Sequence, residues 1–227
     1  MQFDRFKLLI GDAFYNIQNK TVLILGLGGV GSYACESLLR SGINNLIIVD
    51  NDKVDITNLN RQLMTNLNNV GEYKTEVWKK RIKGINPNCN VTSITKFINK
   101  DNIEELFNYK IDYFIDACDT VDTKVLVIKN CVERGIKIIS CMGTGNKMNP
   151  SRLKITDISK TSYDKLSKIM RKRLNEVGIK HVTVVSSDEI SYTKLDKIIP
   201  SNSFVPATAG LLLTSYVIND IVGDKDV

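Results

Sequence analysis

The sequence predicts an α/β fold, a Rossmann-like doubly wound sheet that is mostly parallel and carries a C-terminal antiparallel extension. Two observations lead to this prediction. Short β-branched runs alternate with amphipathic segments over residues 21–140, which is the pattern of parallel strands joined by crossover helices. After Gly145 the alternation stops, so the remaining strands need a different arrangement.

The first part of the chain contains five predicted strands joined by four predicted helices. Segments rich in Val and Ile predict strands, because β-branched side chains favour an extended backbone. They are 21–25, 45–50, 90–95, 112–116 and 136–140. Apolar residues at helical spacing predict helices over 30–40, 74–83, 102–107 and 123–134. Gly135 ends the last of these, since glycine adopts the left-handed conformation that stops a helix.

The extension combines two further strands with two further helices. Strands are predicted over 152–158 and 181–187, a basic helix from about Tyr163 to Glu176, and a last helix from Pro206 to about Val222 before Gly223. Strands with short connections favour an antiparallel arrangement. The uncharged stretch 201–219 contains a proline and several hydroxyl groups, so we expect a buried helix rather than a membrane span, and no membrane partner.

Composition limits the domain count, the compartment and the partner. The chain has 227 residues, 43% of them hydrophobic, so we expect a single domain over 1–227 with a core over about 20–145 and the extension over about 146–227. The net charge of +6 fits an anionic partner such as nucleic acid, although excess lysine is also common in soluble proteins. The five cysteines are scattered without a C-x-x-C pair, which predicts reduced thiols, a cytoplasmic location and no zinc site.

The segment GLGGVGS, residues 26–32, follows a predicted strand and opens a predicted helix. In that context glycines let the backbone approach a phosphate, which the helix amides then hold. Gly26, Gly28 and Gly31 have the spacing G-x-G-x-x-G, and Asp50 ends the next strand, where it can hydrogen-bond ribose hydroxyls. These residues predict a nucleotide site, and they leave NAD and ATP both open.

A polar cluster, NLNRQ at residues 58–62, favours ATP. Cleavage at the α-phosphate develops negative charge, which cations and amide donors such as Arg61 and Asn58 stabilise. Lys74 can enter the same site from the next helix, and Asp119 follows the fourth strand at the sheet edge where ligands bind, where it suits a magnesium or ATP-orienting role. In the competing interpretation, Arg61 and Lys74 are surface charges and Asp119 caps a helix.

Four motifs together resemble the adenylating domain of the ThiF/MoeB/HesA superfamily, which is related to enzymes that activate ubiquitin-like proteins. They are GLGGVGS, DNDKVDITNLNRQ at 50–62, VGEYK followed by INPN at 85–88, and FIDACDTVDTK at 114–124. Within that superfamily, the segments at 140–166 and 203–213 are similar to tRNA threonylcarbamoyladenosine dehydratases of the TcdA or CsdL type. Those enzymes use ATP to cyclise a modified adenosine next to the anticodon.

The resemblance implies an ATP site with Mg²⁺. Arg61, Lys74 and Asp119 would be catalytic, with Asp119 reaching the magnesium ion. The implied ATP-binding residues are Gly26, Gly28, Gly29, Gly31, Asp50, Asp52, Asn58, Arg61, Gln62, Lys74 and Asp119. The implied reaction is attack of a substrate carboxylate on the α-phosphate, followed by ring closure within the substrate, so no cysteine is required. Cys118 and Cys141 lie nearest the active edge and are interpreted as structural.

The resemblance also implies a tRNA substrate and a homodimer. In the basic helix, the residues that would face RNA are Lys168, Arg171, Lys172 and Arg173, with Leu166, Ile169 and Leu174 turned inward. A simple solvated face is the alternative. Arg5 matches a position from which an arginine reaches into the ATP site of the other subunit. A cysteine desulfurase acts beside some relatives and is therefore a candidate partner.

Three other functions remain open at this point. The chain could adenylate the C-terminus of a ubiquitin-like sulfur-carrier protein, although members that bind structural zinc carry paired C-x-x-C motifs, which this chain lacks. It could be a binding module that kept ATP and lost catalysis, but the retained Arg61, Lys74 and Asp119 count against this. It could be a nicotinamide oxidoreductase, for which the NLNRQ cluster would have no purpose.

Overall fold

The computed structural model describes residues 2–193 and 199–223, and these residues form one seven-stranded sheet. The strand order is β3-β2-β1-β4-β5-β7-β6, and every neighbouring pair is parallel except β7 with β6. The strands are β1 (Thr21–Leu25), β2 (Asn45–Val49), β3 (Asn90–Ile94), β4 (Tyr113–Asp116), β5 (Lys137–Cys141), β6 (Leu153–Asp157) and β7 (Thr183–Ser187). The predicted α/β sheet of Rossmann type is confirmed.

Helices lie on both faces of this sheet. They are α1 (Asp4–Ile10), α2 (Ala13–Gln18), α3 (Gly31–Arg40), α4 (Lys74–Ile85), α5 (Val121–Glu133), α6 (Lys165–Glu176) and α7 (Phe204–Val222). Successive strand side chains point to opposite faces, so β1 contributes Val22 and Ile24 to one apolar cluster, with α3, α4 and α7. Leu23 and Leu25 of the same strand belong to a second cluster, with α5 and α6.

The predictions for the first part of the chain agree closely with these elements. Periodic apolar residues located the strands and the helices α3, α4 and α5, and Gly135 follows α5 with φ of 64°. The segment predicted as a helix over 102–107 is a 3-10 helix, Ile103–Asn108. The two short α-helices α1 and α2 were not predicted. The apolar pattern of α1 is weak because this helix buries none of its residues.

The extension differs in part from the prediction. β6 and β7 are antiparallel to each other, as expected, with Ile155 opposite Val185. β7, however, pairs in parallel with β5, so that Val185 also lies beside Cys141. The connection between β6 and β7 is not short, because it contains the whole of α6. This crossover carries the chain back into the sheet, and only the edge strand β6 runs against the others.

Helix α7 is long and apolar enough to cross a membrane by composition alone, and in this fold it packs against α3. A Cβ at Gly210 would stand 2.3 Å from the carbonyl oxygen of Val30, so only glycine permits this approach. The hydroxyl of Thr214 donates to the carbonyl oxygen of Ala34 at 3.1 Å. Val205, Ala209, Leu213 and Val217 are fully buried along one side of the helix. The predicted buried helix is therefore found in the core.

Candidate nucleotide-binding site

The turn between β1 and α3 depends on two glycines for steric reasons. Gly26 has φ of 90°, and a Cβ there would stand 2.7 Å from the carbonyl oxygen of Ala117. A Cβ at Gly31 would stand 1.8 Å from the carbonyl oxygen of Gly26. These contacts let α3 begin directly behind the strand and let the loop after β4 pack against the turn.

The middle of the turn is open. A Cβ at Gly28 would meet only Gln62 Nε2, at 3.8 Å, so packing within the protein does not require glycine at this position. Helix α3 begins at Gly31, at the end of this turn, and the Ser32 amide donates to the Gly28 carbonyl oxygen at 2.9 Å. The open space beside Gly28 therefore suits an incoming phosphate rather than a side chain.

Asp50 holds the turn from the end of β2. Its Oδ2 accepts a hydrogen bond from the Leu27 amide at 2.7 Å, and its Oδ1 accepts one from the Asp52 amide at 2.8 Å. Burial raises the pKa of Asp50, and Lys74 opposes this shift by favouring the carboxylate. Each oxygen keeps a further lone pair, so the predicted contact with ribose remains compatible with these bonds.

Lys74 is brought to the same place as Asp50 and Asp52. It is the first residue of α4 and is 4% exposed. Its Nζ lies 2.7 Å from Asp52 Oδ2, and its amide donates to the Asp52 carbonyl oxygen at 3.0 Å. Asp52 is exposed, so a buried ammonium group is held at the mouth of the site by a carboxylate that faces solvent.

The polar cluster at 58–62 is fixed by its own local bonds. Asp55 and Asn58 form a reciprocal cap of a 3-10 turn, in which Asn58 Oδ1 accepts from the Asp55 amide at 3.1 Å. Gln62 is 5% exposed, and within residues 2–193 and 199–223 its Oε1 has no hydrogen-bond partner. A buried amide oxygen without a partner is costly. The Nε2 of the same side chain lies beside Gly28, 3.8 Å from a Cβ placed there, so Gln62 borders the glycine turn, and its predicted contact with a nucleotide stays a prediction.

Arg61 lies across the glycine turn. A Cβ at Gly29 would stand 3.2 Å from Arg61 Cγ and 3.3 Å from Arg61 Cδ, so the arginine stem covers this glycine. The guanidinium donates through Nη1 to the Thr57 carbonyl oxygen at 3.0 Å and to Asn60 Oδ1 at 2.9 Å. Both acceptors are exposed, so the group can exchange them for phosphate oxygens without crossing the core.

Asp119 lies on the loop after β4 that packs against Gly26. It is exposed, and its contact is a 3.4 Å bond from the Thr120 hydroxyl. A free carboxylate at this edge suits the predicted magnesium or ATP-orienting role. Arg61, Lys74 and Asp119 thus lie on three segments that border one glycine turn. Their roles in catalysis remain a prediction.

Sequence reasoning missed a buried ion pair behind Asp119. Lys124 Nζ lies 2.9 Å from Asp116 Oδ2, and both side chains are fully buried. The same ammonium donates to the Cys118 carbonyl oxygen at 3.0 Å, and the Ser140 hydroxyl donates to Asp116 at 2.6 Å. A signal existed in the sequence, because Lys124 has helical spacing with the buried residues Ile128 and Cys131 of α5. The pair fixes the backbone of the loop that carries Asp119.

The two cysteines near this edge are inert. Cys118 donates through Sγ to Asp116 Oδ1 at 3.1 Å, and burial raises the pKa of its thiol well above the usual range. Burial likewise raises the pKa of Cys141 to about 12. Both thiols therefore stay protonated at neutral pH, as a structural role requires. Among residues 2–193 and 199–223, no group of three or more His, Cys, Asp and Glu side chains is placed to hold a metal ion.

The basic helix α6 divides its charges between two roles. Arg171 donates to the Thr161 carbonyl oxygen at 2.8 Å, and Arg173 pairs with Asp122 at 2.7 Å, so both are engaged within the fold. Lys168 and Lys172 are exposed. The expectation that Ile169 faces inward is wrong. Ile169 is 48% exposed, whereas Leu174 is buried and Leu166 packs against the core, as expected, so the apolar stripe runs through Leu166, Met170 and Leu174.

Arg5 lies on α1, at the other end of the chain. It is exposed, as are Leu8 and Leu9 on the same helix, at 87% and 79%. Within residues 2–193 and 199–223, α1 packs against α2. The reach of Arg5 into the ATP site of a second subunit stays a prediction.

The residues fit ATP. Open backbone at Gly28 and the unpartnered amide of Gln62 leave room and a polar contact for it. Arg61 and Lys74 supply positive charge for a triphosphate, and the exposed Asp119 carboxylate would suit a divalent cation bound with it.

Comparisons with known proteins give a consistent result. The chain matches the model of the ThiF family over residues 2–173. It is similar to the tRNA threonylcarbamoyladenosine dehydratase of Bacillus subtilis (strain 168). The two are 41% identical over an alignment 245 positions long, which covers 100% of this chain and 96% of that protein. The protein of the same name from Escherichia coli (strain K12) is 39% identical over 153 residues, which span 67% of this chain and 57% of the other.

Solved structures agree with the sequence relatives. The fold is similar to that of the E. coli tRNA N6-threonylcarbamoyladenosine dehydratase TcdA in complex with ATP, with a TM-score of 0.92 and 32% identity. The alignment covers 98% of this chain and 94% of the E. coli chain. A second structure of the same E. coli protein, in complex with AMP, gives the same values.

Proposed function

The chain belongs to the ThiF family, and we propose that it is an ATP-dependent tRNA threonylcarbamoyladenosine dehydratase. It adenylates the carboxylate of threonylcarbamoyladenosine in tRNA and then cyclises the modification. The observation that carries this function is 41% identity to a dehydratase over the whole chain, together with a glycine turn that is open beside Gly28. That turn is bordered by Arg61 and Lys74, as the chemistry requires.

The first step is attack of the substrate carboxylate on the α-phosphorus of ATP. An oxygen–phosphorus bond forms, pyrophosphate leaves, and the substrate becomes an acyl-adenylate. Negative charge grows on the phosphate oxygens during this exchange, so Arg61 and Lys74 stabilise the transition state more than the bound ATP. The amides of the glycine turn hold the phosphates in line for attack.

The second step closes a ring within the substrate. A neighbouring nucleophile of the same nucleoside attacks the activated carbonyl carbon, and AMP leaves. The nucleoside has then lost one water, and ATP has become AMP and pyrophosphate. No enzyme thiol takes part, which agrees with protonated, buried Cys118 and Cys141.

A magnesium ion completes the proposed site. Bound to the phosphates, it would neutralise charge on the leaving pyrophosphate. Asp119 is the residue that would hold it, because its carboxylate is exposed beside the loop that meets Gly26.

Other parts of the proposal concern partners and compartment. We place the tRNA on the side of α6 that carries Lys168 and Lys172, and a tRNA substrate implies the cytoplasm. A homodimer is supported by the exposed Leu8 and Leu9 of α1, and Arg5 of one subunit would then reach the ATP of the other. A cysteine desulfurase remains a candidate partner that no residue here singles out.

The direct test measures the nucleoside. Purified protein is incubated with tRNA that carries threonylcarbamoyladenosine, together with ATP and Mg²⁺. The tRNA is then digested to nucleosides, and their masses are measured by mass spectrometry. We expect loss of one water and release of pyrophosphate. Reactions without ATP, and reactions with tRNA that lacks the modification, serve as controls. An unchanged nucleoside mass under saturating ATP would reject the function, and adenylation of a sulfur-carrier protein would then be tested by the same pyrophosphate assay.

A further inference from the structure

An exposed aromatic side chain stands at the start of α6 in an unusual backbone conformation. Tyr163 is 70% exposed, and its φ is 59°, a left-handed value that a bulky residue rarely adopts. The turn is tight, because the Asp164 amide donates to the Ser162 carbonyl oxygen at 2.7 Å. Nothing in the packing of the core requires this phenol, since it faces solvent.

The turn that presents Tyr163 is anchored to the carboxyl edge of the sheet. Asp164 is buried, and its Oδ2 accepts from the Ser167 amide at 2.7 Å and from the Ser167 hydroxyl at 2.6 Å. It also accepts from the Gly143 amide at 3.3 Å, and its Oδ1 lies 3.8 Å from the ammonium of Lys147. Gly143 comes two residues after the end of β5, at the carboxyl edge of the sheet where the glycine turn of residues 26–31 also lies. Tyr163 is therefore held in one place near that edge.

Lysines that make no ion pair among the described residues precede and follow Tyr163 along the chain. Within the described residues, four exposed lysines of this region, Lys160, Lys165, Lys168 and Lys172, make no ion pair, whereas most basic residues of α4 and α5 do. Three of them share one side of α6, because their spacings of three and four residues match the helical repeat. An aromatic face bordered by unpaired positive charge is the arrangement that single-stranded nucleic acid recognises.

We propose that Tyr163 stacks on a base of the tRNA anticodon loop, next to the modified adenosine, while the neighbouring lysines bind the phosphates. This inference rests on the proposed function, which places the modified nucleoside at the adjacent edge of the sheet. Loop bases are unpaired and can turn outward onto an aromatic side chain. A peptide partner is less favoured, because four lysines without carboxylates match a polyanion.

The test uses the conformation of residue 163 to separate packing from recognition. Tyr163→Gly removes the ring and suits the left-handed backbone, so the fold should be at least as stable as wild type. Tyr163→Phe keeps the ring. Tyr109→Gly is the matched control, since Tyr109 is 41% exposed and lies before β4, at the amino ends of the parallel strands and away from the carboxyl edge. Each variant is compared with wild type in full-length form.

Four quantities are measured: the Kd for labelled tRNA bearing threonylcarbamoyladenosine, the Kd for ATP, the KM and kcat of dehydration, and the unfolding temperature. We expect Tyr163→Gly to raise the tRNA Kd and KM about tenfold, the scale of one lost stacking contact. Its ATP Kd, kcat and unfolding temperature should stay at wild-type values. Tyr163→Phe should stay within about twofold of wild type, and Tyr109→Gly should be unchanged.

The outcomes separate the inference from the function. If Tyr163→Gly binds tRNA as wild type does, stacking is overturned while dehydration by the wild type still supports the function. If Tyr163→Phe loses as much as Tyr163→Gly, the hydroxyl and not the ring makes the contact, and stacking is again overturned. If wild type leaves the nucleoside unchanged but Tyr163→Gly still loses tRNA affinity, the function fails and the surface stands. A wild-type protein without tRNA affinity would overturn both.

Discussion

Arg61 shows how one side chain serves the fold and the reaction in turn. Without nucleotide, its guanidinium binds the Thr57 carbonyl oxygen and Asn60, and its stem lies over Gly29. Those acceptors are neutral and exposed, whereas a triphosphate offers charged oxygens with stronger hydrogen bonds. The arginine therefore gains most when phosphate arrives.

We predict that Arg61→Ala slows adenylation by about a hundredfold or more, because one donor to the transition state is lost. Folding should change little, since the side chain is only partly buried and its partners face solvent. Pyrophosphate release measures the rate, and a urea midpoint checks the fold. Arg134→Ala is the control, because Arg134 is an exposed arginine paired with Glu104 far along the chain. Near-normal turnover in Arg61→Ala would mean that the site is misplaced.

Lys124 is a residue of a different kind, because it never meets solvent. Burial alone would lower the pKa of Lys124, but the carboxylate of Asp116 raises it overall. A raised pKa in the folded state means that its contribution to stability is complete below about pH 10.4, the unfolded value, and is lost as pH rises through the folded value. Both partners of the pair are also hydrogen-bonded, Lys124 to the Cys118 carbonyl oxygen and Asp116 to the Ser140 hydroxyl.

We predict that Lys124→Met destabilises the protein by about 3–5 kcal/mol, because Asp116 is left as a buried charge without its partner. The urea midpoint measures this loss. The double variant Lys124→Met/Asp116→Asn removes the stranded charge and should be clearly more stable than Lys124→Met alone. If the double variant is the less stable of the two, then Asp116 does not depend on Lys124 in the way described.

At the level of elements, the glycine turn separates two reasons for glycine. Gly26 and Gly31 are required by contacts inside the protein, as the 1.8 Å approach to the Gly26 carbonyl oxygen shows. A Cβ on Gly28 would make only an ordinary contact, 3.8 Å from Gln62 Nε2, among the residues that the structure describes. The motif in the sequence looks uniform, yet only its middle position is left to the ligand.

We predict that Gly28→Ala folds normally and weakens ATP binding by about tenfold or more, because the methyl group occupies the approach of the phosphate. Isothermal titration gives the ATP Kd, and thermal unfolding gives the stability. Gly84→Ala is the control, since Gly84 lies in α4 and a Cβ added there would meet nothing within 4 Å, so it should leave ATP affinity unchanged. Equal ATP affinity of Gly28→Ala and wild type would argue against phosphates in this turn.

The elements also show what the sequence could and could not predict. Local periodicity located β1 to β5, because each strand carries its own apolar pattern. The same pattern could not show that β7 lies between β5 and β6, since strand order is decided by contacts far apart in the chain. In the site, motif residues were found by spacing, whereas the Asp116–Lys124 pair was missed because burial of a lysine depends on a partner from another element.

The whole molecule distributes its charge unevenly. The net charge is +6, and many basic side chains outside α6 have carboxylate partners within the fold. The unpaired lysines on α6 are then free to contribute to the field that tRNA meets. Each phosphate they neutralise releases counterions, so binding through this surface depends on salt.

We predict that the double variant Lys168→Gln/Lys172→Gln lowers the slope of log Kd against log salt by about 1.5, as expected for two phosphate contacts. Fluorescence anisotropy of labelled tRNA between low and high salt gives the slope. The matched control is Lys79→Gln/Lys80→Gln, which removes the same charge from α4, where both lysines are ion-paired. Equal changes in the two variants would point to net charge alone, and no contact with α6.

The position of β7 between β5 and β6 has a consequence for folding during synthesis on the ribosome. β6 is synthesised before β7, the strand with which it pairs. β5 likewise has one unpaired side until β7 is synthesised. α7, which packs over α3, follows all seven strands in the chain. The nascent chain therefore keeps an open sheet edge and an exposed apolar face until β7 and α7 have emerged, and in that interval a chaperone would be of most use to it.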